Sequence, residues 1–188
     1  MSAVHEPPPK LHRFTRAEYE QMVAAGIFGP EKKIELLDGE IIDIAPQKSR
    51  HATAVTLCAR ALDRAFGAGV TVRAQLPLSL DDQSEPEPDV AVVRGNPRDY
   101  RDAHPSTALL IVEVAESTLA YDRARKLAAY ARNAIPEYWI LNVADETLEV
   151  CRAPQGETYS NRQVLGPSDR VAPLHAADHE VPIADLLP

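Results

Sequence analysis

The stretch Leu-Leu-Ile-Val-Glu-Val-Ala at residues 109–115 constrains the fold more than any other part of the chain. Side chains of a strand alternate between its two faces. Leu109, Ile111, Glu113 and Ala115 therefore share one face, and Leu110, Val112 and Val114 share the other. Both faces are apolar, which is the pattern of a central strand in a sheet covered on each side. Glu113 is the lone charge in it. A second apolar run, Asp-Val-Ala-Val-Val at 89–93, also carries a single acid, Asp89, on the face of Ala91 and Val93.

The flanking pattern supplies helices to cover such a sheet. Thr15 precedes Arg-Ala-Glu-Tyr-Glu-Gln-Met with Glu18 three residues on, a capping box, and Gly26 marks the stop. Lys-Ile-Glu-Leu-Leu-Asp-Gly-Glu-Ile-Ile-Asp-Ile reads as a β-hairpin turning at Asp38-Gly39. Residues 49–66 read as a helix with Val55, Cys58, Leu62 and Ala65 on one face. Strands are expected over 70–80, 89–93 and 108–115. A helix capped by Ser117 or Thr118 then runs to about Arg132, with Asn133 and Pro136 beyond it. Strands follow over 137–142 and 146–153, with a short one in 156–166, and the tail from Val171 is ambiguous. This order implies an α/β fold, a central mixed β-sheet flanked by helices with an N-terminal β-hairpin.

A length of 188 residues suits one domain, taken here as 14–188, with 1–13 reading as a disordered arm. That arm has no apolar core of a signal peptide, and no apolar run approaches the ~20 residues of a membrane helix. Cys58 and Cys151 belong to no zinc-binding spacing, so two buried reduced thiols in a cytoplasmic protein are expected. A net charge of −8 argues against a protein built to coat nucleic acid, but not against an enzyme with a local basic rim.

An unpaired buried carboxylate costs several kcal/mol, on the order of the loss of a buried ion partner. If the strands of Asp89 and Glu113 are neighbours, both acids reach one spot. A hard cation such as Mg²⁺ matches two converging carboxylates. The bland alternative is that a nearby Lys or Arg neutralises them. In the helix that follows, Asp122, Lys126 and Tyr130 are four apart and stack along one face, while Ala124, Leu127, Ala128 and Ala131 supply the packing face. Folded back over the strand, Lys126 reaches the carboxylates; otherwise Asp122 and Lys126 form an exposed pair worth ~0.3 kcal/mol. Glu35 is either a further acid at the site or a solvent-facing hairpin residue. His51 reads as a surface or capping histidine, and Gln75 lines the cleft or faces solvent. Glu85 and Glu87 read as loop charges, and Tyr130, Tyr138 and Trp139 as core. Neither a phosphate-binding glycine loop nor a nucleophile elbow is present.

Taken together, Glu-Pro-Glu-Pro-Asp-Val-Ala-Val-Val, Ile-Val-Glu-Val, Ser-Thr-Leu-Ala-Tyr-Asp-Arg-Ala-Arg-Lys-Leu-Ala-Ala-Tyr and Ile-Pro-Glu-Tyr-Trp-Ile-Leu-Asn resemble the Uma family of putative endonucleases. That family lies in the restriction-endonuclease-like superfamily, named for its PD…(D/E)xK signature. The resemblance runs from about Phe14 to Val150. It implies a restriction-endonuclease-like fold and a Mg- or Mn-dependent endonuclease hydrolysing phosphodiester bonds, in DNA. Asp89, Glu113 and the Val114 carbonyl would hold the metal, and Lys126 would assist the attacking water. Glu35 matches a family glutamate. One departure is Ala115, which stands where the signature places lysine, so Lys126 would fill that role from the next helix. Arg123, Arg125, Lys126 and Arg132 on that helix are expected to meet phosphates, in weak, metal-assisted binding that falls with salt. A homodimer through the hairpin is expected by analogy. The alternative is a non-cleaving module of the same fold that binds nucleic acid or a protein partner.

Overall fold

The central sheet of the computed structural model, which describes residues 10–188, has six strands. The expected arm over 1–13 falls mostly outside the described residues. Within them, Arg13 lies against the hairpin, donating to the Asp38 carbonyl (3.1 Å) and pairing with Glu40.

Helix α1 (Arg16–Ala24) opens on the capping box: Thr15 takes the Glu18 N–H and Glu18 returns a bond to the Thr15 N–H. Strands β1 (Ile34–Leu37) and β2 (Glu40–Asp43) form the hairpin, with Leu37 opposite Glu40. Its turn residues Asp38 and Gly39 both have positive φ, 53° and 72°, the conformation of a type I′ turn. Helix α2 (Ser49–Phe66) spans the expected residues and buries Val55, Cys58, Leu62 and Ala65.

The sheet runs β3 (Val70–Ala74), β4 (Val90–Arg94), β5 (Leu110–Ala115), β6 (Glu137–Asn142), β7 (Thr147–Gln155) and β8 (Thr158–Leu165), neighbours in that order. Only β5 and β6 are parallel, and they are joined by the helical crossover 119–132. All of β5 is buried, as its two apolar faces require. Val112 and Val114 pack with α2 on one side, while Ile111 and Ala115 pack with the crossover helix on the other. Past β8, β9 (Arg170–Val171) pairs with β10 (Val181–Pro182), and Ile183 and Leu186 seal the α2 side.

Two expectations are corrected. The strand expected over 70–80 ends at Ala74, because Gln75 turns into the left-handed region (φ 54°) and Pro77 follows. The helix expected as one piece is α3 (Leu119–Tyr121), a π-helical turn at Asp122–Lys126, and α4 (Leu127–Arg132). The Leu127 N–H reaches back to the Asp122 carbonyl, five residues away. The wider turn shifts the buried face. Ala124 is exposed, Ala128 is only half-buried, and Ala129 takes the core position beside Leu127, Tyr130 and Ala131.

Candidate active site

The cleft lies where β4 parts from β5, and its volume is about 300 Å³. The segment Glu85-Pro86-Glu87-Pro88-Asp89 leads into β4. Glu85 exchanges backbone hydrogen bonds with Leu36 of β1, so the hairpin is stitched to the sheet just above the site. Asp89 precedes β4 by one residue, next to the Val90–Val112 pair, and so faces the level of Glu113. The Asp89 carboxylate bridges the parting strands. Its Oδ2 accepts from the Val114 N–H (2.8 Å), and its Oδ1 accepts from Gln75 Nε2 (3.1 Å) and His51 Nε2 (3.0 Å).

Glu113 and Lys126 face each other across the gap between β5 and the π turn. Lys126 Nζ donates to Glu113 Oε1 (2.9 Å) and lies 3.3 Å from Glu35 Oε2, brought in on β1. Tyr130 donates to the same Glu113 oxygen (2.6 Å). Glu35 also accepts from the Glu87 N–H (3.1 Å) and from the Tyr121 hydroxyl (3.3 Å). Asp122 is held by Thr118 (2.7 Å), and its carbonyl, in the π turn, accepts from the Tyr138 hydroxyl (3.1 Å). Exposure is 8% for Asp89, 3% for Glu113, 2% for Glu35 and 6% for Lys126, so these groups form the floor of the cleft.

Such crowding moves the titrations. Burial pushes Glu113 up to about 8; Lys126 opposes this, and Asp89, Asp122 and Glu35 add to it. Burial likewise pushes Asp122 up to about 6, against its Thr118 hydrogen bond. Burial alone would lower Lys126, yet Glu113, Glu35 and Asp122 outweigh it and raise it well above its ordinary value. Lys126 therefore stays an ammonium at neutral pH. It cannot accept a proton there, and its contribution is charge and hydrogen bonding.

Asp89, Glu113, Lys126, Glu35 and Gln75 thus line one cleft, and Val114 lines it as well. His51 is the residue that the sequence reading passed over. It sits in the first turn of α2 with 15% of its side chain exposed, and the Asp89 hydrogen bond raises its pKa. An exposed helix start is the ordinary place for histidine; only the sheet's return past α2 brings Asp89 to it. Glu85, read as a loop charge, is buried and accepts from Ser79 (2.7 Å). The arginines expected to meet phosphates are each paired with a carboxylate of the chain. Arg123 pairs with buried Glu149, Arg125 with Glu40 and Asp38, and Arg132 with Asp38 and Glu157.

Among the described residues no group of three or more His, Cys, Asp or Glu is arranged to hold a metal ion. The donors that are present still suit a hard cation. A carboxylate oxygen has two lone pairs. Asp89 Oδ2 takes one hydrogen bond, and Glu113 Oε2 takes none among the described residues. Each acid keeps an open lone pair, and Val114 presents its carbonyl on the edge where its N–H meets Asp89. Two carboxylates, a carbonyl and water are the ligands that Mg²⁺ accepts.

The fold recurs in the crystal structure of a "putative nuclease belonging to DUF820" from Anabaena variabilis ATCC 29413. That structure has a TM-score of 0.71 and 17% identity over 92% of this chain and 97% of the other. A second structure, the type IIG restriction endonuclease BpuSI, aligns with a TM-score of 0.41 and 17% identity over 66% of this chain and 15% of the other. A comparison with curated proteins finds no match. The model of one family matches residues 16–183, and the chain accordingly belongs to the Uma2 family, described as "Putative restriction endonuclease".

Proposed function

We propose that this protein is a metal-dependent endonuclease that hydrolyses phosphodiester bonds in DNA at the cleft beneath the hairpin. The observation that carries the reading is the convergence of Asp89, Glu113, Glu35 and Lys126, from four separate segments, on one floor. Three carboxyl groups and an ammonium buried in one place are costly as pure structure, because an apolar cluster of similar volume is usually at least as stable. Family membership is the second support.

In this reading Asp89, Glu113 and the Val114 carbonyl would hold Mg²⁺ or Mn²⁺. A cation bound there lowers the pKa of a coordinated water and offsets the charge that develops on the phosphate. The chain's own groups do the positioning. Val114, Gln75 and His51 fix the Asp89 carboxylate through three hydrogen bonds, leaving it one rotamer. Lys126 has three N–H groups. One bonds Glu113 while Glu35 lies 3.3 Å away as an ion-pair partner, and a remaining N–H would serve the attacking water or a phosphate oxygen. Glu35, 3.3 Å from Lys126, would keep the ammonium aimed into the cleft if Glu113 served as a metal ligand.

The test is cleavage of labelled DNA by wild type, Asp89→Asn and Glu113→Gln with Mg²⁺ or Mn²⁺, with and without EDTA. Cleavage by wild type alone, abolished by chelation, is expected. Equal cleavage by all three proteins would assign the activity to a contaminant or another site. Metal binding without cleavage under any condition would leave a non-cleaving module of the same fold.

A further inference from the structure

Resting on the nuclease reading for the chemistry it serves, we infer that the cleft admits an unpaired nucleotide of a single strand or flap, and not the backbone of an intact duplex. Three observations lead there. The first is depth. Asp89, Glu113 and Glu35 are at most 8% exposed, at the bottom of a cleft of about 300 Å³. Paired bases hold a strand on a rigid rod, whereas an unpaired nucleotide swings out and enters a closed pocket, as bases do in enzymes that act on them.

The second is an apolar stretch of lining beside the acids, where Ile42 stands across the hairpin from Glu35. Ile42, Ile44 and Pro46, from β2 and the loop after it, line one side, and half-buried Tyr121 stands near the floor. A groove that only tracked phosphates would have no use for such a wall. An apolar and aromatic surface next to the reacting group is what an unstacked base packs against.

The third is charge. A duplex-binding protein neutralises roughly 6–10 phosphates with free lysines and arginines. Here each arginine of the crossover helix is already paired with a carboxylate of the chain: Arg123 with buried Glu149, Arg125 with partly exposed Glu40, and Arg132 with partly exposed Asp38. The cleft lining itself has seven carboxylates against three lysines. One of those, Lys126, is on the floor. That leaves Lys33 and Lys48 at the mouth, both exposed, with Lys48 only 3.9 Å from Glu116. Two lysines serve a short piece of one strand.

The experiment measures binding by fluorescence anisotropy with Ca²⁺ in place of Mg²⁺. The probes are a single strand, a flapped duplex and a blunt duplex of one sequence; the same three are then assayed for cleavage with Mn²⁺. Ile44→Glu alters the wall; Pro46→Glu, at an exposed position, does the same without risk to the core. The single strand and the flap should bind at least about tenfold tighter than the blunt duplex. Either variant, checked for a wild-type melt, should erase that preference. Equal or tighter binding of the blunt duplex, a preference untouched by both variants, or no binding of any probe overturns the inference. A preference of the expected sign with no cleavage of any probe would sink the nuclease reading and leave the inference standing. Equal cleavage of all three would do the opposite.

Discussion

Glu113 holds its proton far longer than an ordinary carboxyl. Burial is the main cause, and its pKa stands at about 8 against 4.5 for an unperturbed glutamate. Between those values the folded protein keeps a proton that the unfolded chain has released, so stability falls as pH rises through that window. Asp122, raised to about 6, has the same sign over a lower and narrower range. Metal-free wild type should therefore lose stability to urea between about pH 5 and pH 8, and Glu113→Gln should lose much less. At pH 8 the variant should be the more stable of the two, since Gln carries no proton to lose and each pKa unit of such a shift corresponds to ~1.4 kcal/mol. A wild type that gains stability over this range would refute the assignment. Lys126→Ala tests the same cluster from the other side. Removing the ammonium strands Glu113 and Glu35, and losing one partner of a buried pair costs ~3–5 kcal/mol. If a cation binds at these acids, Mg²⁺ should restore more of the melting temperature in Lys126→Ala than it adds to wild type. An equal Mg²⁺ effect on both would argue that the cation binds elsewhere.

At the scale of elements, the hairpin is what delivers Glu35, and its turn is tightly specified. Gly39 has φ of +72°, and a Cβ placed there would lie 2.7 Å from the Arg13 Cβ. Gly39→Ala should cost ~1–2 kcal/mol from the left-handed backbone alone, with the contact adding to it. It should also reduce activity beyond what the lost stability explains, because Glu35 shifts with β1. Unchanged turnover in a folded Gly39→Ala protein would detach Glu35 from the site. Elements of this kind were legible in the sequence because their signals are local: the Asp38-Gly39 turn, the Thr15–Glu18 box, the amphipathic span of α2, the doubly apolar β5. The π turn was not. Spacing Asp122, Lys126 and Tyr130 by four presumes an α-helix, and nothing in Asp-Arg-Ala-Arg-Lys marks the extra residue in that turn. The site was legible in its acids, since a lone charge in an apolar strand is conspicuous. His51 and Glu85 were not legible, because their burial comes from segments 38 and 49 residues distant in the chain (Asp89 for His51, Leu36 for Glu85).

For the whole molecule, the net charge of −8 is distributed so that most cations near the cleft already have partners. Arg125 and Arg132 brace the crossover helix against the hairpin through Glu40 and Asp38, and Arg123 and Arg162 neutralise buried Glu149 in β7. The arginines next to the site therefore hold the layers together, although as a list of residues they read as a phosphate-binding face. Binding measurements separate the two roles. Each phosphate neutralised on a single strand contributes ~0.7 to the slope of log affinity against log salt. If the arginines are structural, replacing Arg125 and Arg132 by Gln should lower the melting temperature and leave the slope nearly unchanged. Replacing Lys33 and Lys48 by Gln should leave the melt nearly unchanged, since both side chains are exposed, and should reduce the slope by up to ~1.4. Anisotropy titrations of a labelled single strand between 50 and 200 mM salt, in Ca²⁺, give all of these values. A slope that falls with the arginines and not with the lysines would move the nucleic-acid path off the cleft mouth and onto the crossover helix.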